Sequence, residues 1–170
     1  IQDMVAMQLT EGGNGEMWMA SNTHGVVRIQ GSGHSLNGYT LSAYSVVNGK
    51  LNSNYADCIY KDIEGRIWVG TGGSGLSLYD AIEDRFLPVH KLWNLPGDAV
   101  TSIQSDKKGD LWLGTNAGLL KLTVPKDLQN VTYRLYTTSD GLQDNLFNRG
   151  ASCEAPDGEL FFGGHRGYNS

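Results

Sequence analysis

Four short apolar segments with a central aromatic residue recur along the chain. They read GEMWMAS, GRIWVGT, GDLWLGT and GELFFGG, and their aromatic residues are Trp18, Trp68, Trp112 and Phe161. The residues on both sides of each aromatic are apolar as well. Because successive side chains of a strand point to opposite faces of its sheet, this pattern predicts strands that are buried on both faces. The four aromatic residues are therefore predicted core positions.

The spacing of these segments indicates a repeat. The aromatic residues follow one another at intervals of about 50, 44 and 49 residues, within the range of propeller blades. A glycine-bearing turn precedes each segment, and a polar loop with a further apolar strand follows it. More polar outer strands are predicted at Tyr39–Val46, Arg85–His90 and Tyr133–Thr138. The pattern predicts an all-β fold, with β-propeller blades of four antiparallel strands and four repeats.

The repeat also divides the chain into blades. We place them at 1–46, 47–90, 91–138 and 139–170, within a single partial propeller domain that spans 1–170. The first inner strand is expected near Val5–Thr10. The last blade is expected to be incomplete, because its third strand begins shortly before Ser170.

Composition and charge narrow the classes of partner. The chain has 23 glycines, 18% charged residues, a formal net charge of −5 and an estimated pI of 5.2. Nucleic acid and anionic membrane surfaces attract clustered Lys and Arg, so neither is expected to bind, and neutral or weakly polar ligands fit better. No apolar stretch is long enough to cross a bilayer, and we interpret a chain that begins with Ile1 as a piece of a longer protein. Membrane attachment is expected only through segments outside it.

The sequence offers no recognisable catalytic or metal-binding motif. The histidines lack the spacing of a local metal site, and we expect no metal and no cofactor; they are His24, His34, His90 and His165. Asp62 and Asp106 each lie three residues before a glycine, which favours turn caps over a catalytic pair. Cys58 and Cys153 are interpreted as two small buried hydrophobic residues.

The second and third repeats resemble a known family. DIEGRIWVGTGGSGLSLYD and DKKGDLWLGTNAGLLKL are similar to the two-component regulator propeller repeat, whose pattern runs roughly D-x-x-G-x-[IL]-W-[VIL]-G-T-x-x-G-[GL]-[LV]. The first repeat departs from it at Ala20-Ser21, and the fourth at Phe161 and at Gly163-Gly164. The resemblance implies a propeller of about seven blades. It further implies the periplasmic sensor region of a Bacteroidetes-type hybrid two-component histidine kinase, held in the inner membrane and responding to oligosaccharides, with kinase activity outside this chain.

Candidate ligand-binding residues come from the irregular segments. The loops between second and third strands and the crossings between blades are expected on one face of the ring, where propellers commonly bind ligands. These segments are rich in Asn, whose amide groups suit sugar hydroxyls but also suit turns. The candidates are Trp93, Asn94, Asn116, Asn145, Asn148, Arg149, His165 and Arg166. Trp93 either stacks on a sugar or anchors its crossing against its own blade.

Three functions remain open from the sequence. The first is an extracytoplasmic sensor module that recognises oligosaccharides and signals to a kinase. The second is a scaffold or dimerisation module without direct ligand binding, in which two copies form a homodimer through exposed blade edges. The third is a propeller polysaccharide lyase or hydrolase, although the sequence shows no recognisable local set of catalytic residues for either reaction.

Overall fold

The chain forms four antiparallel sheets that are arranged as the blades of a propeller. The computed structural model describes residues 3–31 and 38–170, so His34 lies outside the described residues. Blade 1 contains β1 (Ala6–Gly13), β2 (Glu16–Ser21), β3 (Gly25–Gly31) and β4 (Tyr39–Tyr44). Blade 2 contains β5 (Ala56–Lys61), β6 (Ile67–Thr71), β7 (Gly75–Asp80) and β8 (Arg85–Leu87).

The other two blades follow the same order. Blade 3 contains β9 (Val100–Ser105), β10 (Leu111–Thr115), β11 (Leu119–Thr123) and β12 (Thr132–Tyr136). Blade 4 is a three-stranded sheet of β13 (Phe147–Glu154), β14 (Leu160–Gly164) and β15 (Gly167–Asn169). Strands pair in sequence order within every sheet, and each sheet falls inside one of the four ranges expected from the repeat. The all-β propeller architecture is confirmed.

The outer strand of blade 2 is shorter than predicted. It ends at Leu87, and a four-residue helix, α1 (Val89–Leu92), replaces the rest of the expected strand Arg85–His90. Pro88 has no N–H for the ladder, and the helix turns the His90 ring inward, where its Nε2 lies 2.7 Å from the Gly97 carbonyl oxygen. The buried imidazole also covers Gly75, whose φ is +70° and where any side chain would overlap the ring.

The core lies between neighbouring blades, because the tryptophans of blades 1, 2 and 3 each face the next blade. The Trp18 ring centroid lies 4.7 Å from that of Tyr79 and 5.9 Å from that of Phe86, both in blade 2. Trp68 packs in the same way into a cluster that includes Leu111 and Leu113 of blade 3. Both tryptophans are completely buried. Burial of one such ring contributes about 5 kcal/mol of hydrophobic stabilisation.

The last two aromatic repeat positions are only half-buried, which corrects the prediction for Phe161. The buried aromatic of β14 is Phe162, which faces blade 3, whereas Phe161 faces the opposite side of blade 4 and contacts the largely exposed Tyr168. No other blade among the described residues covers that side. Cys153 pairs with Phe161 across the strands and is exposed for the same reason, so the prediction of two buried cysteines holds only for Cys58.

The turn aspartates cap their own backbone, as predicted, and also hold the tryptophan that follows. Asp62 Oδ1 accepts hydrogen bonds from the backbone N–H of Glu64 and Arg66, at 3.0 and 2.9 Å. Its Oδ2 accepts one from Nε1 of Trp68 at 2.8 Å. Asp106 and Trp112 repeat this bond at 3.1 Å. The D-x-x-G-x-x-W spacing therefore joins each turn to the core.

The first and fourth blades depart from this pair in different ways. In blade 1 the aspartate position is Gly12, and Nε1 of Trp18 donates instead to Oε1 of Glu16 at 3.0 Å. A side chain at Gly12 would overlap both partners of that bond. In blade 4 the aspartate becomes Ala155 where the tryptophan becomes Phe161. The carboxylate and the indole N–H therefore appear together or disappear together.

Asp84 connects the outer parts of blades 1 and 2. Its Oδ1 accepts hydrogen bonds from the hydroxyls of Tyr44 and Tyr79, at 2.7 and 2.8 Å, and its Oδ2 pairs with Lys50. The hydrogen bond from Lys50, followed by that from Tyr44, lowers the pKa of Asp84 to about 2. This carboxylate stays charged throughout the physiological range.

Candidate functional site: the upper rim

The loops and crossings that were expected to share one face are hydrogen-bonded to each other. We call this face the upper rim and define it by the loops 22–24, 72–74, 116–118 and 165–166, the crossings 45–55, 88–99 and 137–146, and the bulged start of β13 at 147–150. Gly72 N donates to the Tyr55 carbonyl at 3.0 Å, and Gly73 N and Gly75 N donate to the Asp98 carbonyl at 3.0 and 2.8 Å. The upper rim is thus a bonded layer over the axial end of the blades.

Two of the predicted ligand-binding residues lie in the rim between blades 2 and 3. Asn116 Oδ1 accepts hydrogen bonds from the backbone of Asp98 and Ala99, at 3.1 and 3.3 Å, and its Nδ2 donates to Oδ1 of Asp98 at 2.8 Å. Asn94 lines a nearby hollow of about 240 Å³ together with Gly73 and Asp98. The amide group of Asn116 is therefore already hydrogen-bonded within the upper rim, whereas the Asn94 side chain faces open space.

Trp93 lies beside the core. Its ring centroid is 6.1 Å from that of Trp68, and the half-buried ring packs against the cluster between blades 2 and 3. These contacts favour the alternative in which Trp93 anchors its crossing. A role for Trp93 in stacking on a sugar stays a prediction.

The remaining candidates gather on blade 4 and the crossing before it. Asn145 Oδ1 accepts a hydrogen bond from the Thr138 N–H at 2.9 Å, which makes it a turn residue. Arg166 Nε lies 3.6 Å from Oδ2 of Asp144. Asn148 and His165 are exposed. Their assignment to a ligand surface stays a prediction.

Arg149 reaches a buried carboxylate that the sequence analysis did not single out. Its Nε lies 3.0 Å from Oδ2 of Asp57, whose side chain is 1% exposed, whereas the Arg149 side chain is 53% exposed. The contact is an ion pair without hydrogen-bond alignment, and among the described residues neither Asp57 oxygen has an aligned donor. Burial raises the pKa of the Asp57 carboxyl, although Arg149 opposes the shift.

A comparison between blades shows that Asp57 is an exception to the repeat. Inner strands β5 and β9 carry a bulge near their start, and Asp57 and Thr101 occupy the same place in it. The Thr101 hydroxyl donates to the Gly114 carbonyl of its own blade at 3.1 Å. An ionised carboxylate cannot donate such a bond. Comparing the repeats at this position would have found Asp57 from the sequence.

The bulge of β13 is larger than those of the other blades. Four residues between Phe147 and Ser152 lie opposite Gly163, where β5 places two residues opposite Gly70. The enlarged bulge contains Arg149 and brings β13 of blade 4 into contact with β5 of blade 2. Bulges of this kind re-aim side chains and are common beside functional sites.

Gly72 provides the space for this ion pair. A Cβ atom at this position would lie 2.9 Å from Oδ2 of Asp57 and 3.3 Å from Nη2 of Arg149. The equivalent loop position carries Asn116 in blade 3 and His165 in blade 4. The pair is therefore built from three local exceptions to the repeat: a carboxylate, a glycine and an enlarged bulge.

The described residues contain no group of three His, Cys, Asp or Glu side chains placed to hold a metal ion. Over 3–31 and 38–170, no helix is both long and apolar enough to cross a membrane.

Comparison with solved structures supports the propeller fold. The extracellular domain of a protein described as a hybrid two-component system, from B. thetaiotaomicron, matches with a TM-score of 0.68 and 17% identity, over 97% of this chain and 27% of that one. A second such domain from that organism matches with a TM-score of 0.69 and 19% identity, over 92% and 22%. Another structure of that second protein, described as a one-component system, gives 0.72 and 18%, over 97% and 23%. The chain thus spans about a quarter of their length.

An enzyme has a related fold. A catalytically inactive virginiamycin B lyase from Staphylococcus aureus, with quinupristin, matches with a TM-score of 0.59 and 16% identity, over 95% of this chain and 49% of that one. At this identity the likeness concerns the fold alone, and one fold serves many functions. Among curated proteins, none matches the sequence.

The family comparison agrees with the repeat pattern. The model of the two-component regulator propeller matches residues 50–73 and 94–117. Both segments run from a crossing or its end into the loop of the upper rim, and the second includes Trp112 and its turn aspartate. Two segments of the chain are therefore similar to the two-component regulator propeller repeat.

Proposed function

We propose that this propeller is the ligand-sensing part of an extracytoplasmic receptor. It recognises oligosaccharides at the upper rim and signals to a histidine kinase elsewhere in the protein. The receptor lies in the inner membrane, with this part in the periplasm, and the chain itself has no enzymatic activity. The observation that carries the proposal is the contrast between regular blades and an irregular polar rim, since the exceptions to the repeat gather around Asp57 and Arg149.

The family and the solved structures support this proposal. The matched model describes a two-component regulator propeller, and two of the matched structures are extracellular domains of proteins described as hybrid two-component systems. Asn94, Asn148 and His165 leave amide and imidazole groups at the surface, and such groups suit the hydroxyls of a sugar.

Calorimetry tests the proposal directly. The chain is titrated with a panel of neutral and acidic glycan fragments, and we expect one class to bind. The matched variants are Asn148→Ala at the rim and Lys126→Ala on the exposed β11–β12 connection. Weakening by Asn148→Ala alone supports binding at the upper rim. If no fragment binds, the sensing role is overturned.

A second function, a scaffold that pairs with another chain, is favoured by apolar surface at the ends of the blade array. Leu9 and Leu41 of blade 1 are about half exposed, and Tyr168 of blade 4 is more exposed still. Apolar surface of this kind marks interaction sites. Sedimentation velocity separates the two functions, because a scaffold forms dimers without ligand. A Leu9→Lys, Leu41→Lys double variant should then be monomeric and should still bind any sugar recognised at the rim.

A further inference from the structure

We propose that Arg149 is an oxyanion receptor, so that the ligand at the upper rim is an acidic oligosaccharide carrying a carboxylate or a sulfate group. This inference rests on the proposed sensing function and names its class of ligand. It depends on the Asp57–Arg149 pair and on the local exceptions that create it.

The first step concerns the position of Arg149. The enlarged β13 bulge lifts 148–150 out of the ladder, and Gly150 adopts a φ of +66° within it. The two additional residues are absent from the equivalent part of β5 and β9. A blade can therefore form without these two additional bulge residues. Their effect is to place a guanidinium over the end of blade 2 with about half of its surface in solvent.

The second step concerns how the guanidinium is held. Asp57 Oδ2 lies 3.0 Å from Nε of Arg149, and about half of the Arg149 side chain stays in solvent, where a ligand can reach it. A tethered arginine loses less freedom on binding than a free one. Asp57 itself is buried without an aligned hydrogen-bond donor among the described residues, an expensive arrangement that the blade does not require.

The third step concerns the chemistry that this surface selects. The planar edge of a guanidinium matches the two oxygens of a carboxylate or sulfate, and it forms a pair of charge-assisted hydrogen bonds with them. Two other carboxylates of the upper rim are already engaged: Asp98 bonds to Asn116, and Asp144 lies beside Arg166. A local cation is therefore presented on a chain whose net charge is −5. An anionic ligand would be directed to this place rather than to the surface as a whole.

The test compares matched ligands on the full chain. The probes are trigalacturonic acid, its methyl ester, a sulfated disaccharide (neocarrabiose 4-sulfate) and neutral galactotriose, and binding is measured by calorimetry at low and high salt. We expect an acidic probe to bind and its neutral counterpart to bind at least tenfold more weakly. The carboxylate and sulfate arms show which oxyanion is preferred.

Variants assign the effect to Arg149. Arg149→Gln should weaken binding of the acidic probe about 30-fold, because charge-assisted hydrogen bonds are lost. Arg149→Lys should restore only part of the affinity, and the matched control Arg85→Gln, on the exposed outer strand of blade 2, should change it less than about threefold. If Arg149→Gln leaves Asp57 unpaired and the chain unfolds, the double variant Asp57→Asn, Arg149→Gln removes the buried charge and should fold without binding the acidic probe.

The outcomes separate this inference from the sensing function. Neutral probes that bind as tightly as acidic ones, with no effect of Arg149→Gln, overturn the oxyanion receptor and leave the sensor intact. Acidic binding that is equally weakened by Arg85→Gln reflects general surface charge and also overturns it. If no probe of either class binds, both proposals fail.

Discussion

The bond between a buried indole and a buried carboxylate predicts a strong coupling between two positions six residues apart. The Asp62 side chain is fully buried and accepts from Nε1 of Trp68, from Nε of Arg66 at 2.6 Å and from two backbone N–H groups. Replacing Asp62 with Ala leaves these donors without their acceptor. We expect Asp62→Ala to lower the free energy of unfolding by about 4 kcal/mol.

The coupling appears when the indole is removed as well. Trp68→Phe should cost about 3 kcal/mol through lost core volume. Once the N–H is absent, Asp62→Ala no longer leaves it unsatisfied, so the double variant should lose about 5 kcal/mol rather than the sum. The coupling energy is therefore about 2 kcal/mol. Blade 4 already contains this double change, as Ala155 and Phe161.

Urea unfolding followed by far-ultraviolet circular dichroism measures all four chains of the cycle without relying on tryptophan emission. Asp62→Ala combined with Trp112→Phe is the matched control, since these residues belong to different blades and should be additive. If the Asp62 and Trp68 effects add within about 0.5 kcal/mol, the bond is not the reason for the pairing of these residues.

Three further outcomes follow from local features. Gly75→Ala should cost about 3 kcal/mol in thermal unfolding because of overlap with the imidazole of α1, whereas Gly73→Ala, which meets no atom within 4 Å, should cost about 1 kcal/mol from its positive φ alone; equal losses would contradict this. Asp84→Asn should cost about 1 kcal/mol at pH 6 after allowance for solvent screening. Because the folded pKa of Asp84 is lowered to about 2, this contribution is present above about pH 4 and is lost as the pH falls towards 2, so wild-type and variant stabilities that stay apart at pH 2 would refute it. Cys153 should react with a thiol reagent in the native chain, while Cys58, whose thiol pKa is raised by burial, should react only after unfolding; native-state labelling of both would contradict the fold at β5.

The repeat made the blades predictable. Trp18 and Trp68 occupy both the sequence period and the interface between two blades, so their burial follows from the pattern. The helix after Pro88 did not follow from the repeat, because the other blades have no counterpart of Pro88 or of the contact between His90 and Gly97 in this crossing. Phe161 repeats the pattern, yet no other blade among the described residues covers its face of blade 4. The sequence period alone does not show which blades pack against each other.

The candidate site was predicted in part for a related reason. Loop composition indicated Arg149 as a candidate. Its partner Asp57 lies within a strand, and only a comparison of the inner strands of three blades shows that a carboxylate at this position is unusual. Asn116 and Asn145 were chosen for their amide groups, and the structure uses those groups within the rim itself. The residue type alone does not distinguish an asparagine that stabilises a turn from one that binds a ligand.

The ion pair between Asp57 and Arg149 also bears on how the array folds. In a repeat protein the stability of each unit depends mainly on its immediate neighbours, so damage at one end need not spread. This pair joins blade 2 to blade 4 and passes over blade 3. Local unfolding of blade 4 would therefore destabilise blade 2 as well. Hydrogen exchange in β5 should accelerate when Arg149 separates from Asp57.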